Sequence, residues 1–301
     1  MDDGASPAAQ QQPQQQQTDE ATTLISLAQN YLHSSQTNGT ESANIRFRPP
    51  FLQTPKHDAR GDAVALIVEH LIQRQFPQWA AYVVAYSLVD LYASELQTAD
   101  VPFDENDYDA IDATVWCPKV IVRLQSYLTK LAASSIPLPE YQPDPDQLLY
   151  SYCAQRNRRA KMEDRSDRSR NQDSFFAVFD GHNGVDCANY ASSHFARCLI
   201  DNPEYATGSI EDVMKRAFST LDKRLTVRCK REHIKSGTTA ACAFLRARRH
   251  LCVGWCGDSA VAVLRKDAVR TLSSAHSPMV EVRSPHCFVS QQLKFIKILT
   301  K

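Results

Sequence analysis

Between Arg158 and His182 the chain gathers side chains suited to phosphate and hard cations: Arg159, Glu163 and Asp164, then the apolar run 175–179 ended by Asp180, Gly181 and His182. Asp180 is the first polar residue after a strand-like run, where a rigid element gives way to a loop. Carboxylates in such places can be held at the fixed separations that divalent cations demand. Glu163 and Asp164 could add oxygen ligands, and Gly181 lets its own carbonyl approach an ion closely. Arg159 offers a planar fork for phosphate oxygens, and His182 a proton near neutral pH. Taken singly, a Glu-Asp pair also suits a solvated surface, and an Asp-Gly after a strand also suits a turn. Two further strings, Ser236-Gly-Thr-Thr-Ala240 and Cys256-Gly-Asp258-Ser259, follow downstream.

The elements that must position these residues read as an α+β domain. The run 175–179 is a buried strand, 185–199 a helix, and Ser209-Ile-Glu-Asp212 has the spacing of a helix-opening capping box. Residues 238–245, 251–255 and 261–264 read as strands joined by tight turns, giving antiparallel hairpins rather than a doubly wound sheet. Cys252 and Cys256 alternate in an apolar setting and read as strand packing rather than nucleophiles. The run 164–170 reads as a solvated loop beside the site, with a regulatory phosphosite as the alternative.

Upstream the pattern is all-helical. Residues 1–17 form a Gln-rich tail too polar to order. From Thr18, with Thr18 or Asp19 as cap, Leu24, Leu27, Ala28, Tyr31 and Leu32 recur at helical spacing. Residues 34–60 read as loop. Asp62 opens a helical block broken at Pro77 and continuing to Leu96, with Tyr82, Tyr86 and Val89 facing a core. The acidic stretch 100–112 lacks the glycine and terminal glutamate of a calcium loop and reads as a solvated loop or helix start. A helix from about Pro118 to Ala133 and a Pro-rich linker, 136–145, complete the region. The expected organisation is a tail (1–17), a helical regulatory or partner domain (18–145), a catalytic-type domain (146–278) and a divergent tail (279–301).

Composition narrows the function classes. The 301 residues carry 34 Lys+Arg against 34 Asp+Glu, so no global field favours nucleic acid or an anionic membrane. Nine cysteines, an odd number, and an N-terminus without a basic or apolar leader point to a reduced, cytoplasmic or nuclear protein. The most apolar stretch, 79–93, contains Ser87 and Asp90 and is shorter than the roughly 20 residues of a membrane span.

In this order and spacing the four strings together resemble the metal-dependent protein phosphatases of the type 2C family, from about Tyr152 to Pro278. Arg156-Asn-Arg-Arg-Ala-Lys-Met-Glu-Asp164, Phe176-Ala-Val-Phe-Asp-Gly-His182, Val185-Asp186 and Lys235-Ser-Gly-Thr-Thr239 are most similar to the branch of calmodulin-dependent protein kinase phosphatases. The resemblance implies an antiparallel β-sandwich flanked by helices, holding two manganese or magnesium ions at one end. Asp180 would bridge both ions, Glu163 and the Gly181 carbonyl would bind one, Asp164 would act through bound water, and Asp258 would serve a third, weaker ion. A water shared by the two ions would attack phosphorus, with Arg159 on the phosphate and His182 protonating the leaving serine or threonine oxygen. Phosphoproteins, including protein kinases, would be the substrates.

Two departures accompany the resemblance. Asn183 stands where the family usually has glycine, and asparagine tolerates positive φ better than most residues. After Pro278 the family's Asp-Gly and Asp-Asn metal-binding motifs do not occur. The expectation is a truncated sandwich of impaired activity, or a catalytically inactive form that binds partners through its helical domain. The apolar residues of 288–299 would cover part of the exposed sheet as a helix or strand.

Overall fold

A computed structural model describes residues 22–34, 52–137, 165–170, 173–247, 249–265, 268–276 and 294–299, with strands 165–170 and 294–299 described at the level of backbone. The chain divides into two compact units, one of residues 1–102 and 109–152, the other of 103–108 and 153–301.

The first unit is helical. Helix α1 (22–34) buries Leu24, Ala28 and Tyr31, the stripe expected from its spacing, while its proposed cap lies outside the described residues. Strand β1 (Gln53–Pro55) and a 3-10 turn (Lys56–Asp58) lead into α2 (Ala59–Ile72), followed by α3 (Gln78–Leu91) and the short α4 (Ala93–Leu96). Pro77 breaks the block as its missing N–H requires, and sits in extended conformation as the cap of α3. Val89 is fully buried, and Tyr82 and Tyr86 pack half-buried against the same core. Strand β2 (Ala110–Asp112) pairs antiparallel with β1, and α5 (Ala113–Ala132) closes the unit.

Two expectations need correction here. Residues 52–60 are not loop, because β1 finds β2 as a partner 57 residues along in the register Thr54↔Ile111, a pairing no local pattern reveals. Helix α5 starts at Ala113 rather than Pro118. Asp112 caps it, accepting from the Thr114 amide at 2.8 Å, so Pro118 falls inside the helix. The acidic stretch thus does contain a helix start, and Asp109 pairs with Lys56.

A buried histidine gives this unit an acid sensitivity. Arg74 can only donate, so its bond of 3.2 Å to His70 Nδ1 makes that nitrogen the acceptor and leaves the proton on Nε2, 3.0 Å from the Tyr31 hydroxyl. Burial, and then the Arg74 charge, push the His70 pKa down to about 4. The unfolded chain, with the ordinary value near 6.5, therefore binds more protons between these limits. Stability is at its full value above about pH 6.5 and is expected to fall by about 3 kcal/mol as pH drops through 4. Hydrogen exchange of α2 at stepped pH checks this; a His70→Gln chain should lack that part of the acid dependence.

The second unit is α+β and antiparallel throughout. Strands β3 (Arg165–Arg170), β4 (Ser174–Phe179), β7 (Ala240–Arg246), β8 (His250–Cys256) and β11 (Lys294–Leu299) form one five-stranded sheet in the order β11-β8-β7-β4-β3. Two small ribbons accompany it: β5 (Gly181–His182) with β6 (Gly237–Thr238), and β9 (Ala262–Arg265) with β10 (Ala268–Thr271). Helices α6 (Asp186–Ile200) and α7 (Ile210–Glu232) cover one sheet face. Alternation decides which side chains they meet. Phe175, Ala177 and Phe179 of β4, with Ala240, Cys242 and Phe244 of β7 and Cys252 of β8, face Phe195 of α6 and Phe218 of α7. On the opposite face Val253 and Trp255 pack with Ala243, Val261, Val263 and Leu272, the beginning of a second layer.

Helix α7 begins as the capping-box spacing predicts, with the usual amide-to-hydroxyl bond and a different return bond. The Ser209 hydroxyl accepts from the Asp212 amide at 3.1 Å and donates to the Asp212 carboxylate at 2.6 Å. Cys252 and Cys256 are buried in β8, as expected of packing residues. Residues 238–245 are two elements rather than one strand. Thr238 pairs with Gly181, whereas β7 starts at Ala240, opposite Cys256. The run 165–170 is a strand rather than a loop. Its letters are those of a charged edge strand, whose polar face needs no hydrophobic pattern to be held by the β4 ladder. Residues 294–299 form the opposite edge, paired with β8 from Lys294↔Trp255 to Leu299↔His250.

Candidate functional site

Of the chemistry-bearing residues, Asp180, Gly181 and His182 leave one end of an interior strand of the five-stranded sheet. Strand β4 ends at Phe179, so Asp180 is the next residue out, exposed to solvent. Strand β3 starts at Arg165, whose backbone partner is Phe179. Asp164 immediately precedes Arg165 in the chain. Arg159, Glu163 and Asp164 lie outside the described residues, and among the described ones no group of three or more His, Cys, Asp or Glu comes together as a metal cluster.

The peptide after Asp180 is locked from both sides. The Asp180 carbonyl accepts from the Thr239 amide at 2.9 Å and from the Thr238 hydroxyl at 3.2 Å. Its backbone oxygen is thereby occupied, and the residue is exposed. Gly181 and His182 then pair with Thr238 and Gly237. Asn183 takes φ 56° and Gly184 φ 129°, so the asparagine does adopt the left-handed backbone expected of it. The Asn183 amide donates to the Lys235 carbonyl at 2.9 Å, fastening the turn.

Thr239 joins this strand end to the other sequence string. Its hydroxyl lies 2.5 Å from that of Ser259, and a side chain at Gly257, φ 91°, would meet the Thr239 Cβ at 2.8 Å. Asp258 is consequently held, exposed, in a turn packed against the same threonine that holds Asp180. His276 secures the turn from behind, with its Nδ1 accepting from the Gly257 amide at 3.1 Å and its own amide donating to the Gly257 carbonyl at 3.0 Å. The strand end at Asp180 and the turn of Asp258 thus both meet Thr239, with Gly181 and His182 in the adjoining ribbon.

Sequence reasoning quoted Gly237 and Thr239 without giving either a role. Gly237 is where the imidazole of His182 lies, since a Cβ there would stand 2.3 Å from Nε2. A glycine inside a strand-like string is the signal for such a close approach. Because the clash is with the far end of an exposed side chain, Gly237→Ala should cost about 1 kcal/mol or less in stability while forcing the ring away. The His182 ring resonances should shift in a spectrum that otherwise reports a folded chain; unchanged resonances would show that Gly237 does not set the ring position.

All-oxygen donors, a carboxylate next in sequence to a glycine carbonyl, suit magnesium or manganese rather than softer metals. Asp180 thus leaves the end of an interior strand of an antiparallel sheet, in a loop tied down by the Gly-Thr-Thr string. Residues 149–282 match the Protein phosphatase 2C family. Over 261 residues, 79% of this chain and 56% of the relative, the sequence is 29% identical to protein phosphatase fem-2 of Caenorhabditis elegans. It is 41% identical to human protein phosphatase 1F over 143 residues, 44% of this chain and 31% of that protein. The chain therefore spans between about a third and just over half of these relatives. A solved structure titled as a C. elegans sex determining protein superposes with a TM-score of 0.71 at 20% identity, covering 93% of this chain and 78% of that one, and shares its fold.

Proposed function

We propose that this chain is a metal-dependent protein serine/threonine phosphatase of the 2C family. The observation that carries the reading is the fastening of Asp180, His182 and Asp258 to one sheet end through Gly237 and Thr239. Bound manganese or magnesium would supply an acidified water and neutralise phosphate charge. Asp180, Glu163 and the Gly181 carbonyl would hold the ions, with Asp164 acting through water and Asp258 at a weaker site. Arg159 orients the phosphate oxygens through its fork. His182, kept in place by the absence of a side chain at Gly237, donates its proton to the departing serine or threonine oxygen.

The substrates on this reading are phosphoproteins, protein kinases among them, met in the cytoplasm or nucleus. Among the described residues no helix is long and apolar enough to cross a membrane. The helical unit, with a core of its own built on α2, α3 and α5, selects partners.

The test is release of phosphate from a phosphoserine peptide by the purified 301-residue chain. Manganese should stimulate it and a chelator should stop it, and Gly237→Ala should slow it by on the order of a hundredfold through displacement of His182. Hydrolysis that metal does not stimulate would overturn the proposal.

A further inference from the structure

Among the described cysteines none is in a disulfide, yet two of them, 42 residues apart in sequence, meet directly behind the Ser236-Gly237 string. Cys187 is the second residue of α6 and Cys229 lies in the last turn of α7. Their sulfurs are 3.7 Å apart. We propose that Cys187 and Cys229 are a peroxide-reactive modification site, Cys187 being the residue attacked and Cys229 the one that closes the cross-link.

The geometry assigns the two roles. Cys187 sits where the unpaired amides of a helix N-terminus favour negative charge, and its own amide donates to the Ser236 hydroxyl at 3.2 Å. Its sulfur also contacts the Ser236 carbonyl at 3.0 Å, a bond only the thiol form can donate. On deprotonation the Cys229 S–H takes over as donor to the thiolate. That bond pulls the Cys187 thiol down to about 7, against the opposing effects of burial and of the Asp186 carboxylate. Cys229 moves the other way, raised first by its bond to Cys187, then by burial and by Glu232, with Arg228 opposing. Of the two, Cys187 is therefore the nucleophile at neutral pH. Cys187 is buried at 3% exposure, while Cys229 is only half-buried, so the approach for a reagent little larger than water runs from the Cys229 side.

The chemistry balances with hydrogen peroxide as oxidant. The Cys187 thiolate attacks one peroxide oxygen, the O–O bond breaks, and hydroxide leaves and takes a proton, giving a sulfenic acid and water. The Cys229 sulfur then attacks the sulfenic sulfur, the S–O bond breaks, and a second water departs with the thiol proton. Two thiols lose two electrons and peroxide is reduced to two waters. The sulfurs must close from 3.7 Å to about 2.05 Å. The product joins the start of α6 to the end of α7 and withdraws the Cys187 sulfur from Ser236, the neighbour of Gly237.

The cross-link does not depend on the phosphatase reading. Full-length chain is treated with hydrogen peroxide near pH 7, alkylated, digested without reductant and weighed. The expected product joins the peptides of Cys187 and Cys229 with a loss of two hydrogen masses, reversed by dithiothreitol. In Cys229→Ser, whose hydroxyl can still donate to the Cys187 thiolate but cannot close the cross-link, the sulfenic acid should persist at Cys187 and be captured by dimedone, whereas Cys187→Ala should leave Cys229 uncaptured. Oxidation of the wild-type chain at other cysteines without this cross-link would overturn the assignment, and so would dimedone capture at Cys229 rather than Cys187. No activity is read, so an inactive chain leaves the test intact.

Discussion

Replacing Asp180 by alanine is expected to remove metal-stimulated phosphopeptide hydrolysis, by on the order of a thousandfold or more, while leaving the second unit folded. The residue is exposed at the end of β4, so its side chain contributes little to the core that holds the sheet together. Its backbone bonds to Thr238 and Thr239 do not involve the side chain and survive the substitution. What is lost is the carboxylate that, on the proposed reading, both ions share. Metal activation is worth several kcal/mol of barrier, and each 1.36 kcal/mol is about a factor of ten in rate. Calorimetric titration with manganese gives a second readout, in which the variant should bind markedly more weakly than the parent. A variant that binds manganese and hydrolyses phosphopeptide like the parent would remove Asp180 from the site.

The second large effect is on stability. Phe195→Ala is expected to destabilise the second unit by about 3 to 5 kcal/mol. Phe195 is fully buried and is the hub of an aromatic cluster. Its ring stacks on Phe175 at 5.1 Å and 4°, meets Phe218 edge-on at 4.7 Å and 78°, and lies 6.1 Å from Phe179. Removing it opens a cavity where α6, α7 and β4 meet. Because Phe179 directly precedes Asp180, the loss should reach the site as well. Urea unfolding monitored by the near-ultraviolet signal checks the magnitude; a shift corresponding to less than about 1 kcal/mol would mean that the cluster collapses onto the gap.

Several parts of this molecule were legible in the letters because the physics concerned is local. The stripe of Leu24, Ala28 and Tyr31, the break at Pro77, the cap at Ser209 and the strand at 175–179 each depend on residues within a turn or two. The positive φ of Asn183 was predictable from the tolerance of asparagine for that region. Charged residues 165–170 were misread because an edge strand can be held by backbone pairing alone. Strand β1 was missed because its partner β2 is distant in sequence, and the start of α5 because the proline outweighed the Asp112 cap in the reading.

The candidate site divides along the same line. Motif order and spacing, from Arg159 to Asp258, carried the resemblance to the 2C family and singled out the candidate residues, since chemistry restricts which side chains can bind cations and phosphate. Only the tertiary structure decided that Asp180 and the Asp258 turn share one threonine, that His182 needs a bare glycine beneath it at position 237, and that Cys187 faces Cys229 behind them. Each of those facts depends on strand register and on helix packing across 20 to 60 residues of chain, and the energy that selects the register is spread over a whole sheet face rather than written in any one string.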